Sequence, residues 1–261
     1  MSAVRVALVG GLISFRGLFG WLHPAIFVPT LIVPPIFQVL FFAYLGRAAK
    51  LESDTFYVVG NSIQLAALPG LFAISHAING ERKSQTLASL LASPANRVAL
   101  FLGRSLPVMA IGLTVSLVSF AFGTLLLDVE FSARSLPSLM FVMVAAAFSC
   151  TALGLAHAAV GLRVREMAVF SNLVFAVLLV FCGVNVPLDD LPGWMSTVAQ
   201  GLPVTHAVEA GREVVAGGSL DSVAGLLAAE LGIGVAYLLL GLALLRHFES
   251  AARHHATIEL V

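Results

Sequence analysis

The side chains here that could do chemistry are few, and they are scattered through strongly apolar sequence: His76, His157, Glu230, Asn172, Asn185, Cys150 and Cys182. A metalloprotease places two histidines four residues apart on one helix with a glutamate between them. His76, His157 and Glu230 lie far outside that spacing, so neither a metal site nor an intramembrane proteolytic centre is expected. The two cysteines have no metal-ligand spacing either and read as small packing residues. ATP hydrolysis would need a glycine-rich phosphate cradle ending in Gly-Lys-Ser/Thr, whose lysine reaches the terminal phosphates. The only lysines are Lys50 and Lys83, and neither follows a glycine. No catalytic role is therefore expected. Glu230 is the one formal charge inside an apolar run of membrane length, a costly placement. It could pair with Arg212, be protonated, or face a water-filled cleft.

The elements that carry these residues are six apolar stretches, roughly 24–45, 56–77, 105–127, 135–161, 167–186 and 223–245. Each is near the ~20 residues a helix needs to cross ~30 Å of hydrocarbon. The chain is 59% hydrophobic and 11% charged, against about 25% charged in a soluble domain. An all-α integral membrane protein of six spans is expected, with lipid as its solvent. Its zero net charge conceals a sorting by sign. If the link 46–55 is outside, that side holds Arg47, Lys50, Arg134 and Arg212, while Arg5, Arg16, Arg82, Lys83, Arg97, Arg104, Arg163, Arg165, Arg246 and Arg253 are inside. The excess of basic residues marks the cytoplasmic side, so both termini are expected there.

Residues 1–23 lack a convincing small-residue cleavage site after the apolar run Val6–Ile13. Val4, Leu8, Phe15, Phe19 and Leu22 share one arc of a helical wheel, with Arg5, Arg16 and His23 at its edge. An interfacial helix with snorkelling arginines is expected.

Two links are too patterned to be simple turns. In the inner one, Leu87, Leu90 and Leu91 project as a single apolar patch on a short helix that Pro94 stops, with Glu81, Arg82 and Lys83 beside it. Such a knob suits a groove on another protein, or equally a dip into the bilayer interface. In the outer link, Pro187 and Pro192 break the fifth span and Trp194 sits at belt depth. Past Pro203, Val204, Ala207, Val208, Gly211, Val214 and Val215 recur at helical spacing, with His206, Glu209, Arg212 and Glu213 between them, up to Gly217-Gly218. A helix lying along or re-entering the outer leaflet is expected there.

Together the links resemble the permease subunits of type-two ATP-binding-cassette exporters of drugs, antibiotics or polysaccharides. Gly80-Glu81-Arg82-Lys83-Ser84-Gln85-Thr86-Leu87 through Leu90-Leu91-Ala92-Ser93-Pro94 is similar to the family's Glu-Arg-x-x-Gly-Thr-Leu-x-x-Leu-x-x-Ser-Pro coupling segment, with Gln85 where glycine is common. Gly183, Pro187, Leu191-Pro192-Gly193-Trp194, Pro203 and Arg212 resemble its signature after the fifth span. The resemblance covers nearly the whole chain. It implies one permease domain over 1–261: interfacial helix 1–23, spans one and two 24–78, coupling segment 79–104, spans three to five 105–186, outer re-entrant segment 187–222, and span six with a cytoplasmic tail 223–261. It also implies a separate ATPase subunit that holds ATP and magnesium, a second permease copy or paralogue, and a bacterial plasma-membrane location. Glu81, Arg82, Lys83, Leu87, Leu90 and Leu91 would contact the ATPase, and spans one, two and five would line the path. No cofactor is expected in this chain, and no nucleic acid among its partners.

A secondary transporter would favour internal repeats with broken helices, for which mid-span Pro69 is the one hint. Eighteen phenylalanines against two tryptophans and three tyrosines favour an amphiphilic cargo over a lipid-linked glycan, since sugar rings are often gripped by tryptophan and tyrosine.

Overall fold

The computed structural model describes residues 28–72, 97–161 and 167–255, and among them the regular structure is helical. A π-helical turn, Val28–Ile32, leads into α1, Val33–Ala49. Proline in the first turn of α1 removes an N–H that would have no helical acceptor anyway. The helix stops where Lys50 turns left-handed, at φ 55°. α2, Asp54–Gln64, opens with Ser53 Oγ accepting from the Phe56 N–H at 3.3 Å. Arg47 of α1 donates to both oxygens of Asp54 at 2.6–2.9 Å, stapling the two helix ends.

α2 ends at Gln64 for a reason legible five residues ahead. Pro69 has no N–H to give, and its ring would clash with the Leu65 carbonyl four residues before it. The chain makes a turn at Leu65–Ala66 and then resumes as helix over 67–72, which places Pro69 in a first turn.

The remaining helices are α3 (Arg97–Leu127), α4 (Leu136–Gly161), α5 (Met167–Phe181), α6 (Gly193–Ala199), α7 (Thr205–Val215) and α8 (Ala224–His255). Among the described residues, four segments are long and apolar enough to cross a membrane: Val28–Ala49, Ser105–Leu127, Ala133–Gly161 and Ala224–His247. The expected second span is broken at Leu65–Ala66 and described only to Phe72. The expected fifth span is helical for 15 residues, about 22 Å at 1.5 Å per residue, and ends before the Val186 boundary expected from hydropathy. The interfacial helix 1–23 lies outside the described residues, as do Glu81, Arg82, Lys83, Leu87, Leu90 and Leu91. Residues 97–104, the end of the expected coupling segment, form the first turns of α3.

α4 is the axis of the bundle, with buried residues on every side. α8 runs along it at close range, because a side chain at Gly241 would come within 2.9 Å of the Ala156 nitrogen. Lipid offers apolar surface as freely as protein does, so such tight backbone packing, more than hydrophobicity, holds spans together. α1, α2, α3 and α7 complete one continuous core through Val39, Val58, Ile63, Val115, Met143 and Val208.

Candidate functional site

α7 is built into the bundle. Thr205, His206, Ala207, Val208, Ala210, Gly211 and Val214 are all buried, packed against α2, α4 and α8. Its two ends are held by two charged residues, and these residues do not meet.

At the N-terminal end, Pro203 is followed by Val204 at φ 84°, a conformation that a β-branched residue adopts only when its surroundings impose it. The surroundings here are Glu230, which is fully buried on α8. Its Oε1 accepts from the Val204 N–H at 2.8 Å and its Oε2 from the Ala207 N–H at 3.3 Å. The Ser149 hydroxyl of α4 also donates to Oε1. A carboxylate delivered from another helix thus does the work of a local cap, at the end of α7 where the backbone N–H groups and the helix dipole favour an anion. Thr205 donates to the Ala199 carbonyl at 2.7 Å and Cys182 to the Pro203 carbonyl at 3.5 Å, tying the same corner to α6 and to the end of α5. Both Cys182 and Cys150 are buried free thiols.

At the other end, Arg212 reaches into the break after α5. Gly183 is left-handed at φ 69°, and its carbonyl and that of Val184 accept from Arg212 at 2.8 and 2.9 Å. The Phe56 carbonyl accepts at 3.3 Å, and the guanidinium lies 3.4 Å over the centre of the Phe56 ring. Burial lowers the Arg212 pKa to about 9, while Glu52 and Glu209 act in the opposite direction, so the group stays cationic at neutral pH. Gly60 makes the fit possible, since a Cβ there would fall 2.7 Å from Arg212 Nη2 and 2.6 Å from the Val184 carbonyl oxygen.

The other residues singled out in this link take lesser parts. Pro187 precedes a single 3₁₀ turn, Leu188–Asp190, and Pro192 precedes α6. Trp194 is 64% exposed, with its ring edge-on to Phe181 at 5.6 Å. His157 stacks on Phe170 at 4.7 Å and shares a hydrogen bond with Ser171 at 2.8 Å, a packing role that joins α4 to α5. His76 lies outside the described residues. Asn172 donates to its own helix, to the Ala168 carbonyl at 2.8 Å.

Asn185 is different, because it belongs to a cluster that hydropathy alone does not reveal. Asn61 Nδ2 donates to Asn185 Oδ1 at 2.9 Å and to the Tyr57 carbonyl at 3.0 Å. Gln38 Nε2 of α1 donates to Asn61 Oδ1 at 3.0 Å and to Gln64 Oε1 at 3.1 Å. The signal that could have pointed to Gln38, Asn61 and Gln64 is their presence as amides inside apolar stretches. Among the described residues, no three histidine, cysteine, aspartate or glutamate side chains gather in a way that could hold a metal ion.

The sequence matches the ABC-2 type transporter family over residues 20–215. It is 29% identical over 225 residues to the probable doxorubicin resistance ABC transporter permease protein DrrC of Mycobacterium tuberculosis, in strain CDC 1551 / Oshkosh and equally in strain H37Rv. The match covers 80% of this chain and 77% of the relative. The matched residues include α1, both halves of the broken second segment, and α7 with its Arg212 anchor. The chain belongs to the ABC-2 type transporter family, as a multi-pass membrane permease.

Proposed function

We propose that this chain is the membrane subunit of an ATP-driven exporter that moves an amphiphilic small molecule, such as a drug, antibiotic or natural product, out of a bacterial cell. The observation that carries the reading is similarity over four fifths of the chain to a permease named for doxorubicin resistance. The energy source is a separate ATPase subunit: Lys50 and Lys83 lie in no phosphate cradle, which leaves a partner ATPase or an ion gradient, and the ABC-2 family match favours the ATPase. That subunit carries ATP and magnesium, and two permeases, identical or paralogous, pack side by side above two ATPases. Six spans cross the membrane with both termini cytoplasmic, an arrangement supported by the resulting split of ten basic residues inside against four outside. The segment 81–93 is the coupling helix: Leu87, Leu90 and Leu91 fill the ATPase groove, and Glu81, Arg82 and Lys83 lie at its rim.

The test is co-expression with a candidate ATP-binding-cassette ATPase subunit from the same genome in a drug-sensitive bacterial host, followed by growth inhibition and accumulation of doxorubicin. Resistance should rise several-fold with the pair and vanish when the phosphate-loop lysine of the ATPase is replaced. Resistance from the permease alone would overturn the ATP-driven reading. Rescue of a lipid-linked glycan export defect with no change in drug accumulation would replace the cargo class.

A further inference from the structure

We infer that His157 and Ser171 are positioning residues for transport, forming with the Leu71 carbonyl the joint through which the coupling segment moves α4 and α5 together. The inference rests on the exporter reading and deepens it.

The second segment supplies the moving part. Its upper half, α2, is tied to α1 by the Arg47–Asp54 ion pair and packs against α3 and α7. Its lower half, the helical piece 67–72, follows the break at Leu65–Ala66. There Ala66 N–H bonds to the Ile63 carbonyl and Leu68 N–H to the Leu65 carbonyl, both one residue short of helical spacing, and Pro69 has no N–H to give. A ladder interrupted by proline is where a helix bends. Leu71 precedes Glu81, the first residue of the proposed coupling helix, by ten residues. A thrust from the ATPase therefore reaches this piece before it reaches α2.

What the piece touches decides where the thrust goes. Against α4 the contact is backbone to backbone: a Cβ at Gly154 would lie 2.5 Å from the Gly70 carbonyl oxygen, and one at Gly70 would lie 3.0 Å from that of Cys150. Against α5, Phe72 meets Phe175 edge-on at 6.1 Å. The Ser171 hydroxyl lies 3.2 Å from the Leu71 carbonyl oxygen and 2.9 Å from that of Met167. Carbonyls only accept, so the hydroxyl proton serves these two. His157 Nε2, 2.8 Å from the same hydroxyl oxygen, is then the donor. His157, Ser171 and Leu71 are all buried, so one enclosed polar chain runs from α4 through α5 to the lower half of the second segment.

The joint lies at the inner end of the bundle. His157 and Ser171 sit four residues inside the helix ends Gly161 and Met167, about 6 Å at 1.5 Å per residue. The link between those ends carries Arg163 and Arg165, two of the basic residues assigned to the inside. Apolar contacts between spans resist sliding weakly, because lipid is as good a neighbour as another helix. A hydrogen bond has a direction and a length. The stack of His157 on Phe170 packs α4 against α5, and the hydrogen-bonded chain keeps both in register with the piece that the coupling segment pushes.

The test uses the permease–ATPase complex in proteoliposomes, with ATP hydrolysis and doxorubicin transport measured on the same preparation. His157→Phe keeps the ring against Phe170 and deletes the donor, and Ser171→Ala deletes the hydroxyl. His157→Gln and Ser171→Thr keep a donor and a hydroxyl at the same places. In the Phe and Ala variants, doxorubicin moved per ATP hydrolysed should fall about three- to tenfold, the loss of one hydrogen bond. Unstimulated hydrolysis and co-purification of the ATPase should not change. The Gln and Thr variants should transport as wild type does. The double variant His157→Phe/Ser171→Ala should lose no more than either single one, because each breaks the same chain. Transport and hydrolysis falling together with the unfolding midpoint would reduce the joint to a packing contact and overturn the inference. So would unchanged transport per ATP in the Phe and Ala variants, failure of Gln and Thr to rescue, or losses that multiply in the double variant. If the wild-type complex hydrolyses ATP but moves no doxorubicin, the drug-exporter reading itself fails, and the joint fails with it.

Discussion

Removing the Glu230 carboxylate strands three donors at once: the Val204 and Ala207 N–H groups and the Ser149 hydroxyl. Each buried donor without a partner costs about 1–3 kcal/mol, and Val204 loses the contact that holds its left-handed backbone. Glu230→Leu is therefore expected to lower the thermal unfolding midpoint of the detergent-solubilised protein clearly. Glu230→Gln, which keeps one oxygen acceptor, should lower it less. A Leu variant as stable as wild type would show that α7 stands without this cap. Sequence alone marks Glu230 as an unusual charge but not its role, because the two N–H groups it serves lie 26 and 23 residues before it. Arg212 was equally visible as a charge, whereas its acceptors, the carbonyls of Gly183, Val184 and Phe56, are backbone atoms that carry no residue-type signature.

Among the elements, the long apolar helices α3, α4 and α8 follow directly from hydropathy, since twenty or more apolar residues have few other solutions in lipid. α5 does not: Pro187 reads as its terminator, yet the helix stops at Phe181, because Gly183 turns left-handed and offers its carbonyl to Arg212. The break at Leu65–Ala66 was foreshadowed by Pro69, but the amide cluster beneath it was not. Gln38, Asn61 and Gln64 are each visible as an amide inside an apolar stretch, but only the fold brings them together. The coupling segment proposed over 81–93, with Leu90 set in the ATPase groove, belongs to the same scale. Leu90→Asp would bury a charge in an apolar groove, a penalty of several kcal/mol, and 1.4 kcal/mol already weakens binding tenfold. The variant should insert normally yet fail to co-purify with the ATPase or fail to export. Retention of both at wild-type levels would remove this helix from the coupling role.

For the molecule as a whole, the testable claim is its orientation. Ser53 caps α2, and Ser219 lies between α7 and α8. With the Lys/Arg excess inside, single cysteines at these two positions should react with an impermeant thiol reagent on intact cells, and one at Ser250 should not. Labelling of Ser250→Cys, or protection of both other sites, would invert the topology. The native thiols do not interfere, because Cys150 and Cys182 are buried. The cap on α7 also constrains how the protein is made. The 11 residues of α7 leave the ribosome before α8, and a helix that short is marginal by itself. Its acceptor arrives only with Glu230, 26 residues behind Val204. Glu230, in turn, enters the bilayer cheaply only if the waiting N–H groups receive it. α7 and α8 are therefore expected to lock together by mutual capture, and a chain truncated before residue 230 should leave α7 unformed.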